Sequence, residues 1–176
     1  MSTTKWVIDP THSEIGFKVK HMMFTNVSGQ FSKFDATIET ENEDFENAKI
    51  EFTGAIDSVT TGNADRDTHL LSADFFDVAQ FPEINFKATS FTKIKGSDYK
   101  LVGDLNLHGV TKSVELVAEF GGIMKDPWGN NKAAFSLEGK INRKDWGLNW
   151  NSALETGVVL VSEEVRLNIE LQFAKQ

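Results

Sequence analysis

The sequence predicts an all-β protein built as an extended, eight-stranded antiparallel barrel with short capping helices. Three observations predict it. Apolar and polar residues alternate with a period of two over most of the chain, the mark of half-buried strands. The connections between alternating runs are short, which calls for antiparallel neighbours. Only one stretch carries a helical pattern. Such elements leave a sandwich or a barrel, and closure removes the exposed sheet edges that a sandwich keeps.

The strands follow in order. In "SEIGFKVKH", Ile15, Phe17, Val19 and His21 share one face, with Glu14, Lys18 and Lys20 on the other. In "FDATIE", Phe34, Ala36 and Ile38 alternate with Asp35, Thr37 and Glu39. "KIEFTGAIDS" sets Ile50, Phe52, Gly54 and Ile56 against Glu51, Thr53 and Asp57. "PEINFKATSF" places Ile84, Phe86 and Ala88 on one side, and Pro82 suits its first position, where a missing N–H is tolerated. "KLVGDLNLHGVTKSVELVAEF" reads as a hairpin with its turn at His108-Gly109; Leu101, Gly103, Leu105 and Leu107 face Val114, Leu116, Ala118 and Phe120. "AAFSLEGKI" contributes Ala133, Phe135, Leu137, Gly139 and Ile141, and "VRLNIELQF" contributes Val165, Leu167, Ile169, Leu171 and Phe173. Residues 62–73 form the helix: Asn63 supplies an N-cap, and Asp65 and Asp67 suit the positive end of its dipole. "HMMFTNVSG" and 142–162 read as irregular or short-helical. No repeat, linker or low-complexity segment divides the chain, so residues 1–176 are expected to form a single domain.

Composition narrows function. A net charge of −8 with no basic run disfavours nucleic acid and docking on anionic membrane surfaces, both of which need clustered Lys and Arg. The absence of cysteine removes disulfides, thiolate nucleophiles and thiolate metal sites. His12, His21, His69 and His108 have no H-x-x-x-H spacing, so no metal is expected. Ser13 lacks a nucleophile elbow, and no glycine-rich nucleotide loop is present. "MSTTKWVIDP" lacks a signal-peptide pattern, and no apolar run reaches the length of a membrane span. The expected compartment is therefore the cytoplasm as the sequence is written, or the periplasm if a leader was removed, with no stable membrane insertion.

With 14 Phe and 4 Trp against 1 Tyr, an aromatic interior here recognises by shape and apolarity rather than by polar handles. An eight-stranded barrel is just wide enough to hold one slender ligand or to be filled by its own side chains. The inward stripes mix Phe with Gly and Ala, a mixture compatible with an open lumen and with packing of large against small. Strands of about 11 residues, tilted by about 40°, would make a barrel roughly 28 Å tall, suited to a long thin apolar molecule.

Four motifs occur in order: "WVIDPTHSEIGFKVKHMMFTNVSGQF", "TTGNADRDTHLLSADFFDVAQFPEINF", "VGDLNLHGVTKSVEL" and "NRKDWGL". Together they resemble the YceI-like, polyisoprenoid-binding family, from about Trp6 to Phe173. The resemblance implies a lipocalin-like barrel whose lumen takes a long-chain amphiphile: a polyisoprenoid, a quinone-like molecule or a fatty-chain lipid. It implies binding, transport or sequestration rather than catalysis, and no further cofactor.

The ligand-binding residues expected on this basis are Phe17, Val19, His21, Met23, Phe24, Phe34, Phe52, Phe76, Phe86, Leu105, Phe135 and Trp146, with Arg66 and His69 at the capping helix. Arg66 and His69 admit two readings: bracing of a capping helix through neighbouring loops, or contact with a polar head group, which the bidentate guanidinium suits. His21 has inward parity at a strand end and must meet another side chain or a ligand's polar end. Two other functions compete: an enzyme acting on the lipid through His21, His69 and Arg66, and an interaction domain whose barrel is filled. The loop residues Trp128, Trp146 and Trp150 could close a barrel end or bury themselves in a homodimer.

Overall fold

The computed structural model describes residues 3–21, 25–41, 44–149 and 161–176. Among the described residues, eleven strands lie in one antiparallel sheet: β1 (Thr3–Ile8), β2 (Glu14–His21), β3 (Thr25–Phe31), β4 (Phe34–Glu41), β5 (Asp44–Ala55), β6 (Val59–Thr60), β7 (Glu83–Lys95), β8 (Asp98–Leu107), β9 (Val110–Lys125), β10 (Asn131–Asn142) and β11 (Glu164–Lys175). The helix α1 spans Ala64–Leu71. Eight strands close the barrel in the order β1-β4-β5-β7-β8-β9-β10-β11, and β11 pairs back onto β1. This is the expected closed eight-stranded antiparallel barrel.

Three strands escape the sequence pattern: β1, β3 and the two-residue β6. β1 is short, and β3 was expected to be irregular because its inward face, Val27, Gly29 and Phe31, carries a glycine where a hydrophobe would mark it. β3 pairs with β2 along its length and with β6 at Gln30 and Phe31, so β2, β3 and β6 form a flap that leaves the ring beside β11.

β1 and β2 both lie against β11. β1 takes its C-terminal end, through Ile8↔Phe173, and β2 its N-terminal half, from Glu14↔Glu170 to Lys18↔Arg166. Between them Pro10–His12 forms one 3-10 turn, with Pro10 at its start, where a missing N–H costs nothing. The break would strand the backbone groups of Gln172. Instead Asp9 N–H donates to the Gln172 carbonyl at 2.8 Å, and Ser13 Oγ accepts from the Gln172 N–H at 3.0 Å. The Asp9 carboxylate caps the turn through the Thr11 N–H (3.1 Å), meets His12 at 2.9 Å and holds Lys132 Nζ of β10 at 3.0 Å. His12 and Ser13 therefore serve the strand start, as their position suggests.

The other turns follow local chemistry. His108 and Gly109 both have positive φ (56° and 74°) and join β8 to β9 as the two-residue hairpin expected there. Asn63 caps α1 by accepting from the Arg66 N–H at 2.9 Å. Gly121 and Gly122 place a bulge in β9 opposite Ala134 and Phe135. The bulge adds a residue to one strand and turns it away from its former parity.

Below the middle of the barrel, the core is an aromatic plug. Phe45 sits 5.4 Å from Trp6, 5.1 Å from Phe120 and 5.2 Å from Phe135, ring centre to ring centre. Phe91 stacks on Tyr99 at 4.7 Å, and Phe135 meets Phe173 edge-on at 6.2 Å. A second buried cluster, including Phe31, Ile56, Val59, Leu107, Val114, Trp146 and Leu148, lies toward the other end.

The Thr11 hydroxyl holds the Asp9 carboxyl well below the usual carboxylate range, with His12, Lys132 and the Thr11 N–H adding to it against the opposing effect of burial. A depressed folded-state pKa stabilises the fold fully above the unfolded value of about 4 and loses that contribution as pH falls. The stability gap between wild type and Asp9→Asn should therefore stay constant from neutral pH to about pH 5 and narrow below about pH 4. Urea unfolding across that range tests it, and a gap that stays constant down to strong acid would contradict it.

Candidate functional site

Inside the barrel, above the aromatic plug, lies a cavity of ≈ 360 Å³. That is within the range of pockets that hold one small ligand, about 300–1,000 Å³. Its walls come from the inward stripes of the strands, because a period of two sends every second side chain into the lumen. Val165, Leu167, Ile169 and Leu171 run down β11 to Phe173, which forms the floor and rests on Phe135. Leu101 and Leu105 of β8, Val114 and Leu116 of β9, and Leu137 and Ile141 of β10 continue the wall.

Polar side chains gather at one end. Among the described lining residues they are His21, Thr61, Arg66, His69 and Arg143. The strand registers place that end beside the start of β11 and the end of β2, opposite the plug. α1 lies across it with Leu70 turned to the lumen, and Phe75 and Phe76 follow in the loop.

The cluster on α1 braces the mouth. The Asp67 carboxylate accepts from both the N–H and the hydroxyl of Thr61. Arg66 donates from Nε to Thr61 Oγ1 at 2.7 Å and from Nη2 to the Thr61 carbonyl at 2.8 Å. Helix and preceding strand are thus latched through one threonine, while the exposed Arg66 also borders the cavity. His69 Nε2 lies 2.8 Å from Asp74 Oδ2 and its ring meets Phe75 edge-on at 5.2 Å.

Arg143 went unnoticed in the sequence and is the deepest charge at the site, at 4% exposure. Its Nε donates to the Ser162 carbonyl at 2.9 Å, Nη1 to Leu148 at 2.6 Å and Nη2 to Val161 at 3.2 Å. A guanidinium splayed over three carbonyls fixes the chain on either side of the mouth. Burial pushes its pKa down, and the charge of Glu163 opposes the shift. The signal was available: Arg143 continues the inward parity of Leu137, Gly139 and Ile141.

Phe17, Val19, His21, Phe52, Arg66, His69, Phe76, Phe86 and Leu105 all line the cavity. Met23, Phe24 and Trp150 lie outside the described residues. Three expected pocket residues are placed elsewhere. Phe135 belongs to the plug, because the bulge in β9 and the neighbouring Phe45, Phe120 and Phe173 enclose it. Phe34 stacks behind Phe52 at 6.4 Å and does not reach the lumen. Trp146 is buried outside the cavity, with its indole N–H donating to the Leu105 carbonyl at 3.0 Å, so it is not a loop residue awaiting cover. Trp128, by contrast, is exposed on the β9–β10 hairpin. His108 donates to the Trp146 carbonyl at 3.0 Å from its turn. Among the described residues, no group of three His, Asp or Glu side chains is placed to hold a metal ion, and no helix is long and apolar enough to cross a membrane.

The model of the YceI-like domain matches residues 6–173. The chain belongs to the YceI-like family. It is 36% identical over 172 residues to the UPF0312 protein SA2479 of Staphylococcus aureus strain N315, covering 97% of this chain and 98% of that one. Among solved structures, the YceI protein of Campylobacter jejuni superposes with a TM-score of 0.76 at 34% identity, over 89% of this chain and 90% of that one. BcnA of Burkholderia cenocepacia shares the fold with a TM-score of 0.81 at 19% identity, over 94% and 98% of the two chains.

In this YceI-like barrel the mixture of Phe and Gly has a single geometric meaning. A Cβ on Gly29 would fall 2.3 Å from Phe17 Cζ, and one on Gly103 would fall 2.4 Å from Phe86 Cζ. The tips of the rings cover the glycines of neighbouring strands, and a Cβ would displace them. Large packs against small along the wall, which leaves the lumen open. On Gly29 the three nearest atoms all belong to the Phe17 ring and none to the backbone. Gly29→Ala should therefore push that ring into the cavity, costing about 1–3 kcal/mol by overpacking. Urea unfolding and a crystal structure of the variant check both effects; an unmoved ring would refute the account. Asp67→Ala removes the one oxygen, Oδ1, that accepts both Thr61 hydrogen bonds and should cost about 1–3 kcal/mol, with faster proteolysis around α1. Unchanged stability would show that the latch carries nothing.

Proposed function

We propose that this YceI-like protein binds an amphiphilic lipid, of polyisoprenoid, quinone-like or fatty-chain type, with its apolar chain in the barrel and its polar end at the mouth. Its role is to carry or sequester that lipid without chemical conversion. The observation that carries this reading is the segregation within one cavity: among the described lining residues, apolar side chains run along its length and polar ones gather at one end. An apolar lumen gives no directional bonds, so it selects for shape and length, while His21, Arg66 and His69 meet whatever polarity the ligand has. His21 makes no side-chain hydrogen bond to another described residue, which leaves its ring available. The ligand class also follows a precedent of fold: a barrel from Saccharophagus degradans, with a TM-score of 0.68 at 16% identity over 97% of this chain and 98% of that one, is described as a polyisoprenoid-binding domain.

Chain burial contributes about 0.8 kcal/mol per methylene, so ten buried carbons supply a gross term of about 8 kcal/mol. Association and ordering costs reduce it, so micromolar binding calls for a longer buried chain or a contact at the mouth.

Organic extraction of the purified protein followed by mass spectrometry should release a chain-bearing lipid, and delipidated protein should take up added prenyl or fatty alcohols. His21→Ala should keep the chain bound and weaken it by less than about tenfold, since one polar contact is worth about 1 kcal/mol. Protein that yields no lipid and ignores every added chain would sink the proposal. Turnover of a bound lipid that vanishes in His21→Ala would favour an enzyme instead.

A further inference from the structure

We infer that the plugged end of the barrel is a docking surface for a lipid bilayer, with Trp128 and Met124 of the β9–β10 hairpin as its anchors and Ile123 and Ile94 beside them. The inference concerns the outer surface and is independent of what the lumen holds.

The described residues expose five large hydrophobic side chains, and four of them gather at this end: Trp128 is 83% exposed, Met124 74%, Ile94 57% and Ile123 41%. Single exposed hydrophobes are ordinary, whereas a cluster marks a contact. The strand registers set the four together. β8 begins at Asp98, opposite Glu119 of β9, and the Phe120 N–H donates to the Ser97 carbonyl at 2.8 Å. The β7–β8 turn that follows Ile94 therefore lies against β9, and the β9–β10 hairpin stands out past it by residues 121–125. The pairs Ala133↔Phe173 and Lys132↔Ala174 put this hairpin at the plugged end, away from the mouth.

The tip holds its tryptophan outward. Asp126 Oδ1 accepts from the N–H of Trp128 at 2.9 Å and from that of Asn130 at 2.8 Å. The Asp126 N–H donates to the Asn130 carbonyl at 2.8 Å, and the Gly129 N–H to the Asp126 carbonyl at 3.1 Å. Gly129, at φ 87°, supplies the left-handed residue that the turn needs. The backbone beneath Trp128 is thus fixed, and the loop can fold the ring away only by breaking these bonds.

Size and chemistry choose the partner. A stable protein partner would need roughly 20–30 residues on each side, and four side chains on two hairpin tips fall far short of that. A bilayer asks for no complementary shape. Tryptophan favours the headgroup level, and each apolar side chain can insert on its own. Lys93, Lys95 and Lys125 are exposed around the cluster, with apolar stems and with charged heads able to reach lipid phosphates. Glu46, Asp98 and Glu119 stand at the same end, so the contact is carried by apolar burial and not by net charge. That is consistent with a chain of charge −8. Depth is limited as well. From Gly121 onward β9 has a strand partner on one side only, and its outer backbone groups need water, so the tip stops at the headgroup level. A barrel held in this way keeps its mouth free of the surface it sits on.

The test is co-sedimentation of the full chain with sucrose-loaded phosphatidylcholine vesicles. Wild type should bind, and raising the salt from about 0.15 M to about 1 M should change the affinity by less than about twofold. Trp128→Ala and Met124→Ser should each weaken binding by about tenfold or more. Val117→Ser, which removes the 51%-exposed hydrophobe outside the cluster, should leave it unchanged. Brominated phosphatidylcholine should quench the part of the tryptophan emission that Trp128→Phe removes. Protein that ignores the vesicles, binding that Trp128→Ala does not move, or binding that high salt abolishes would overturn the inference. So would protein that leaves vesicles alone and instead forms a dimer that Trp128→Ala dissociates in sedimentation velocity, which would make the cluster a contact between copies. Lipid extracted from the barrel without any attachment to vesicles would overturn the docking surface and leave the proposed function standing.

Discussion

The whole arrangement depends on one short seam. β11 must close the ring against β1, yet it reaches only Trp6, Val7 and Ile8 before the first strand breaks. A sheet left open there would expose a long edge and drain the lumen to solvent. Asp9, Pro10 and Ser13 let the break occur without leaving Gln172 unbonded, and the same aspartate reaches across to Lys132 on the far side of β11. The pair is mostly shielded, with side-chain exposures of 16% and 18%, so its interaction is screened less than a surface ion pair would be. The motif that looks like the entry to a strand is therefore the fastening of the barrel. It also sends β2 onward into the flap that bears Phe17, Val19 and His21.

From that closure follows a division of labour between large and small residues. A barrel of eight strands encloses little room, and Phe side chains standing upright would fill it. Glycines on adjacent strands change the outcome. Phe17 lies over Gly29 and Phe86 over Gly103, so each ring becomes wall instead of plug. Where no such glycine bed is provided, at Phe45, Phe91, Phe120 and Phe135, the rings interlock and the lumen ends. One residue type thus builds both container and floor, and the neighbouring strand decides which.

This explains what the sequence could and could not convey. Seven of the eight alternating runs are ring strands, legible because period two is a local property; the eighth, β2, lies in the flap, and β1, which closes the ring, was not among them. The helix α1 was legible from Asn63 and its acidic first turn. The register was not legible, and it decides which neighbours a Phe meets: Phe17 is paired with Gly29, whereas Phe135 is paired with Phe120 and Leu171. Phe52 and Phe135 look alike in their strands, each between small or aliphatic neighbours, yet one lines the cavity and the other lies beneath it. Arg143 was hidden for a different reason. It continues an inward stripe, but a charge at an inward position reads as the end of a strand unless its partners are known, and these include the carbonyls of Leu148, Val161 and Ser162.

The polarity of the cavity bears on how a ligand would enter. At the plugged end a chain would have to part several interlocked rings, each contact among which is lost on opening. Among the described residues, the obstacles at the mouth are α1, latched through Thr61, and the turn held by Arg143. The α1 residues on the latch are half-buried or exposed, and α1 itself contains no buried residue. Local opening is cheapest where apolar contacts are few and hydrogen bonds face water. The mouth is thus the weaker end by construction. Arg143 is the exception there, deeply buried and clamped on three carbonyls, and it is suited to remain as the fixed rim while α1 yields.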